Sequence, residues 1–153
     1  MIEHLIPILA GTLAAATPLI FAGLGELVAE RTGVINLGVE GMMLVGAIAG
    51  FAAAAETGYG AAIGLPAGAV AGAATALIFA FFALSLAANQ AACGLALTIF
   101  GVGLSAFVGQ SYIAYNLPGL KPIAIPLLSK IPVLGPILFV QDAVVYLSII
   151  AFA

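Results

Sequence analysis

Charge is what this 153-residue sequence has least of: acidic and basic residues together make up 6% of it, against 65% hydrophobic residues and a mean hydropathy of +1.33. A soluble domain of that composition would lack the polar surface that water requires. The only lysines and arginines are Arg31, Lys121 and Lys130, and the net charge is −3. This excludes a basic patch for nucleic acid or anionic lipid. A single cysteine, Cys93, excludes an intrachain disulfide and any multi-cysteine metal or iron–sulfur site. Its apolar neighbourhood reads as that of a small packing residue. The chain has no phosphate loop of the G-x-x-x-x-G-K-[ST] kind, so any dependence on ATP must come from a partner. No cofactor and no metal are expected.

No charged residue lies between Glu56 and Lys121. That interval far exceeds the roughly 20 apolar residues that cross a ~30 Å hydrocarbon core as helix, so the chain crosses more than once. Its apolar runs lack the alternating polarity of a transmembrane barrel strand. Glu3 and His4 stand where a signal peptide carries positive charge, and the run after them is too long for a signal core, so it should persist as an anchor. The expected fold is therefore all-α: a polytopic transmembrane helix bundle, one membrane domain over 1–153, with about five spans or partial spans. They fall near 5–24, 37–55, 61–88, 91–109 and 137–153, with a loop over 110–136.

Pro7 and Pro18 fall in the first run, where a membrane helix tolerates proline if neighbours satisfy the freed carbonyl. The island Gly25–Glu40, GELVAERTGVINLGVE, follows and holds Glu26, Glu30, Arg31, Asn36 and Glu40. The apolar stretch behind it, from Gly41 to Ala55, is short by about a turn or more for a crossing. Part of the island is then drawn to membrane depth, with a broken helix near 25–43. Gly33, Gly38 and Gly41 permit such a break. Further on, Gly60, Gly64, Gly68 and Gly72 recur every fourth residue, as do Gly101, Ser105 and Gly109, which is the spacing for close helix packing. Between 110 and 135, Pro118, Pro122, Pro126 and Pro132 forbid a continuous helix. The apolar run that resumes after Pro136 passes Gln141 and Asp142 and reaches Ala153 without a polar flank, which reads as a partial sequence that stops inside a span.

A charged side chain near membrane depth costs roughly 2.5 to 3.5 kcal/mol on insertion scales, so it must be paired or solvated. The island is accordingly either a solvated loop or part of a solute pathway. Candidate pathway residues are Glu26, Glu30, Arg31, Asn36, Glu40, Asn89 and Gln90; for the last two, interhelical packing amides are the favoured reading over a place on the path. Arg31 is the one cation near enough in sequence to neutralise an island carboxylate. Gly103-Leu104-Ser105-Ala106 loosely echoes the serine turn of intramembrane proteases, but the only histidine, His4, precedes the first span and leaves that serine without a general base. Enzymatic chemistry is not expected.

Thr17–Gly50, and within it GELVAERTGVINLGVEGMM, resembles the signature region of ABC-importer permeases of the branched-chain amino acid, ribose and nucleoside type. It is nearest to the nucleoside and simple-sugar group. ANQAACGLALTIFGVGLS, Ala88–Ser105, is similar to a second element of that group, and the proline-rich Ile125–Phe139 to a third. The resemblance implies a bacterial inner-membrane permease that pairs with a second, homologous permease subunit, a cytoplasmic ABC ATPase and an extracytoplasmic solute-binding protein. It also implies a protein about twice this length, whose coupling segment lies beyond the present residues. The N-terminus would be outside and Arg31 inside, in keeping with the positive-inside rule. Two other readings stay open on the residues alone: half of an ion-coupled secondary transporter, with Glu26, Glu30 or Glu40 carrying the ion, and a non-transporting membrane assembly subunit.

Overall fold

The computed structural model describes residues 2–126, 128–130 and 132–153. Met1, Leu127 and Ile131 lie outside the described residues, the last two inside the proline-rich segment. The chain divides into two compact units, one formed by residues 1–24 with 120–153 and the other by residues 25–119. Long helices dominate: α1 (Ile2–Arg31), α2 (Val39–Thr57), α3 (Ala61–Ala80) and α4 (Gln90–Gly109). Shorter elements follow as β1 (Ile123–Ala124), α5 (Leu134–Leu138), β2 (Val140–Gln141) and α6 (Ala143–Phe152). Among the described residues, four helical stretches are long and apolar enough to cross a membrane, Leu5–Arg31, Val39–Thr57, Ala61–Ser85 and Gln90–Tyr112, and Ala143–Phe152 is a shorter apolar helix. The all-α transmembrane bundle read from composition is the architecture found.

The large apolar side chains show which solvent the helices meet. Val70, Leu77, Ile99 and Phe107 are each 70% exposed or more. In water such a surface would drive aggregation, whereas in a bilayer it is the normal outer face of a span.

In the unit of residues 25–119, glycines set the distances between helices. α2 and α3 run antiparallel, with Gly50 against Gly64 and Gly46 against Gly68. A Cβ added at Gly50 would lie 2.7 Å from the Gly64 carbonyl oxygen, and one at Gly68 would lie 2.8 Å from that of Gly46. α2 and α4 run parallel, because Gly41 meets Gly101 and, further along both helices, Ile48 meets Gly109. A Cβ at Gly101 would stand 2.6 Å from Gly41 Cα. Without a hydrophobic driving force between helices in lipid, such close approach is what gives them van der Waals contact to gain. Met42, Phe79, Ala83 and Leu97 form the buried cluster of this unit.

At its end α3 widens into a π-helical turn, Phe81–Ser85, and the chain reverses through Ala87 at φ 50°. Asn89 then opens α4, its side-chain oxygen accepting the Ala92 N–H at 3.0 Å, a helix cap. Past α4, a 3₁₀ turn at Gln110–Tyr112 brings the Tyr112 hydroxyl to Glu56 at the far end of α2, donating to Oε1 at 3.1 Å.

In the other unit, β1 and β2 pair antiparallel, with Ile123 opposite Gln141. Tyr146 locks this small ribbon: its hydroxyl donates to the Ile123 carbonyl at 3.0 Å and accepts the Gln141 N–H at 3.2 Å. Buried Gln141 donates to the carbonyls of Ile137 at 2.7 Å and Ala10 at 3.4 Å. Asp142 caps α6 by accepting the N–H groups of Val144 and Val145.

Candidate functional site

The polar island spans a break in the backbone. α1 carries its first half, Gly25–Arg31, as helix, and α2 begins at Val39. Between them, residues 32–38 are non-helical. Helix α1 ends where the Thr32 hydroxyl and amide both return to the Ala29 carbonyl, at 2.7 and 3.0 Å. Gly33 then turns the chain at φ 82°, a left-handed conformation that glycine adopts without strain.

A non-helical segment needs partners for its peptide groups, and here side chains from two helices supply several of them. Gln90, in the first turn of α4, accepts the Ile35 N–H at 2.8 Å. Glu26, on the last turns of α1, accepts the Asn36 N–H through Oε1 at 3.0 Å. Thr98, two turns further along α4, donates its hydroxyl to the Leu37 carbonyl at 3.0 Å. Asn36 closes its own turn, Oδ1 accepting the Gly38 N–H at 3.0 Å, while Nδ2 faces the Met42 sulfur at 3.6 Å. Gly94 lets the segment lie on α4, since a Cβ there would come within 2.8 Å of the Leu37 and Gly38 amide nitrogens. Contacts from Gln90 to Thr98 cover roughly 12 Å of α4 at 1.5 Å per residue.

Glu26, Asn36 and Gln90 therefore meet at the break, and Asn89 stands beside them as the cap of α4. Glu30, Arg31 and Glu40 are exposed, Arg31 in the last turn of α1 and Glu40 in the first turn of α2, each at the helix end whose dipole favours its charge. Among the described residues, Glu26 is held by a backbone N–H rather than by a cation, and its second oxygen, Oε2, is buried with no hydrogen-bond partner. Of the glycine stripes, Gly64, Gly68 and Gly101 touch backbone of α2, while a Cβ added at Gly72 would lie 3.7 Å from the Met42 carbonyl oxygen and one at Gly109 3.7 Å from the Ile48 side chain. Gly60 starts α3 at φ 58° in open space. Ser105 is half-buried on α4.

Two participants were not singled out in the sequence. Thr98 is one more hydroxyl in an apolar helix, and nothing in its neighbours marks the carbonyl it reaches. Gly94 could have been noticed, because it stands seven residues before Gly101 and so on the same helix face. An apolar cavity of about 280 Å³ also lies between α3 and α4, lined by Phe79, Phe82, Leu97 and Phe100 among others. Its lining offers a polar solute no hydrogen-bond partner except the weak thiol of Cys93.

Comparison with known proteins gives the chain's family. The chain is 42% identical over 149 residues to a putative glucose ABC transporter permease protein of Haloferax volcanii, covering 94% of this chain and 45% of that protein. It is 36% identical over 163 residues to the guanosine ABC transporter permease protein of Bacillus subtilis, covering all of this chain and 50% of the relative. A nucleoside ABC transporter permease protein of Lactococcus lactis is 30% identical over 145 residues, with 89% and 46% covered. The chain thus spans about half the length of the curated relatives it matches. No solved structure matches it significantly. The family described as "Branched-chain amino acid transport system / permease component" matches residues 8–151, nearly the whole chain, and this multi-pass membrane protein belongs to it.

Proposed function

We propose that the chain forms the first part of a permease subunit in an ATP-driven importer of nucleosides or simple sugars, seated in the bacterial inner membrane. The observation that carries this reading is the family match over residues 8–151 together with relatives named for glucose, guanosine and nucleosides. The broken helix supports it physically. Unwound backbone at membrane depth is how transporters present polar groups to a solute, and this break gathers Glu26, Asn36 and Gln90. Glu30, Arg31, Glu40 and Asn89 flank the same pathway in this reading.

Partners follow from the mechanism. In this reading a cytoplasmic ABC ATPase supplies the power, a second homologous permease subunit completes the pathway, and an extracytoplasmic binding protein delivers the solute, as the family match supports. The N-terminus lies outside and the break faces the cytoplasmic half. Uptake of radiolabelled guanosine and D-glucose by cells, with and without the chromosomal locus, tests this. Uptake should vanish when the locus or its ATPase is deleted. Uptake that survives loss of the ATPase and collapses with the proton gradient would replace this reading with ion-coupled transport.

A further inference from the structure

α3 and α4 are each drawn onto α2 by glycines, at Gly64 and Gly68 on α3 and at Gly101 on α4, and the cleft between α3 and α4 themselves is left to side chains. Those side chains do not close it. Buried Phe79 and Leu97 floor a cavity of about 280 Å³, while Ile78, Phe82 and Phe100 stand around it half exposed, so it opens on the outer surface. The gap lies where α4 presents only the small Cys93 and Ala96 and where α3 widens into the π-helical turn Phe81–Ser85, a rare geometry that recurs at functional sites.

Position and chemistry together select the occupant. The spans Ala61–Ser85 and Gln90–Tyr112 both end at the polar joint between Ser85 and Gln90. Ala96 lies about 9 Å along α4 from Gln90 at 1.5 Å per residue, which places the cavity inside one leaflet of a ~30 Å hydrocarbon core. Water gains nothing there, because the lining offers no hydrogen-bond partner beyond the weak Cys93 thiol. A helix from another segment or subunit, roughly 10–12 Å across with its side chains, is too wide to enter. The faces on which this chain does receive helices are lined by glycine, whereas this rim carries an isoleucine and two phenylalanines. An acyl chain is narrow, flexible and apolar. The cavity is also continuous with the face that already meets lipid, since Leu77 and Ile99, the chain neighbours of Ile78 and Phe100, are 71% and 74% exposed. Left empty, the cleft denies its lining dispersion partners on one side, and a seated chain restores them. We propose that this cleft is a lipid site that seats one phospholipid acyl chain between α3 and α4, against Phe79, Phe82 and Leu97. The inference stands on the membrane location alone and holds whatever solute the permease carries.

Photolabelling tests it in the intact permease subunit, purified with its partners from its own locus and placed in vesicles of dioleoylphosphatidylcholine. The probe is a phosphatidylcholine with a diazirine midway along one acyl chain, and adducts are located by peptide mass spectrometry after irradiation. Leu77 and Ile99 are the internal reference, because they lie at the same depth on the same two helices and are the more exposed. A seated chain should label Phe79, Phe82 and Leu97 above that pair. Ala96→Phe fills the cleft and should abolish the cavity adducts while the reference labelling stays unchanged. Cys93→Leu is the smaller filling, should reduce the same adducts, and serves where Ala96→Phe fails to reach the membrane. Reference labelling at or above that of the cavity residues overturns the site, leaving bulk lipid contact only. So does a cavity that stays unlabelled while the reference reacts, the pattern of a cleft filled by a side chain from another segment or subunit. Cavity adducts that persist undiminished in the filled variants overturn it as well.

Discussion

Gly101→Ala tests whether the parallel pair α2–α4 is held at backbone contact. The added methyl carbon would lie 2.6 Å from Gly41 Cα. Carbon atoms rest at about 3.5 to 4.0 Å, so the helices must separate by roughly 1 Å at this level. Neither side can yield by a rotamer change, because the obstructing atoms are backbone. Overpacking of this kind costs about 1–3 kcal/mol. Gly103→Ala is the internal control, since it lies on the same helix with nothing within 4 Å of the added carbon. Both substitutions gain the same helix propensity, about 1 kcal/mol over glycine, so their difference isolates the packing cost. Purified protein in mild detergent, unfolded by titration with SDS and followed by circular dichroism, should rank Gly103→Ala at or above the parent. Gly101→Ala should fall about 1–3 kcal/mol below that control. Equal midpoints for the two variants would refute backbone contact at Gly101 and the parallel register built on it.

Three further outcomes follow from the same coordinates. Thr98→Val removes the hydroxyl that reaches the Leu37 carbonyl while keeping the shape of the side chain, and should lower stability in the same titration by about 0.6 to 1.7 kcal/mol. Ala87→Gly relieves a left-handed residue at φ 50°, which costs roughly 1–2 kcal/mol for any side chain, and should raise the midpoint once the greater flexibility of glycine is offset. In a Cys93→Ala background, Thr32→Cys should react with an impermeant maleimide only from the cytoplasm and Ser129→Cys only from outside; the reverse pattern inverts the proposed orientation.

How much of this was legible in advance depended on whether the signal was local. The absence of charge from Glu56 to Lys121 is a property of consecutive residues, and it alone dictates apolar helices crossing a bilayer. The apolar run after Glu40 looked too short to cross, but α2 starts at Val39 and runs to Thr57, long enough to span, so residues 32–38 connect two candidate spans. The contents of the break were not legible. That Gln90 meets Ile35 and Thr98 meets Leu37 depends on α4 lying parallel to α2 at a separation of 55 to 61 residues. No periodicity within either helix encodes that register. The glycine stripe on α3 was visible by its spacing, but its partners Gly46 and Gly50 became significant only once the antiparallel pairing placed them opposite Gly68 and Gly64.

The distribution of contacts also says where motion is cheapest. α2, α3 and α4 touch through backbone atoms at Gly41, Gly46 and Gly50, so sliding any one of them past another would drive carbonyls into Cα atoms. These three helices should therefore move as one body. The break differs, because three of its peptide groups are held by single side-chain bonds from Glu26, Gln90 and Thr98. Each such bond can be exchanged for one to water at little net cost, since hydrogen-bonding partners are replaced rather than lost. Displacing residues 32–38 then requires no repacking of the glycine seam beyond Gly94, where the segment lies on α4. The sequence concentrates its few charges beside this junction, and the fold makes the same junction the easiest place to open.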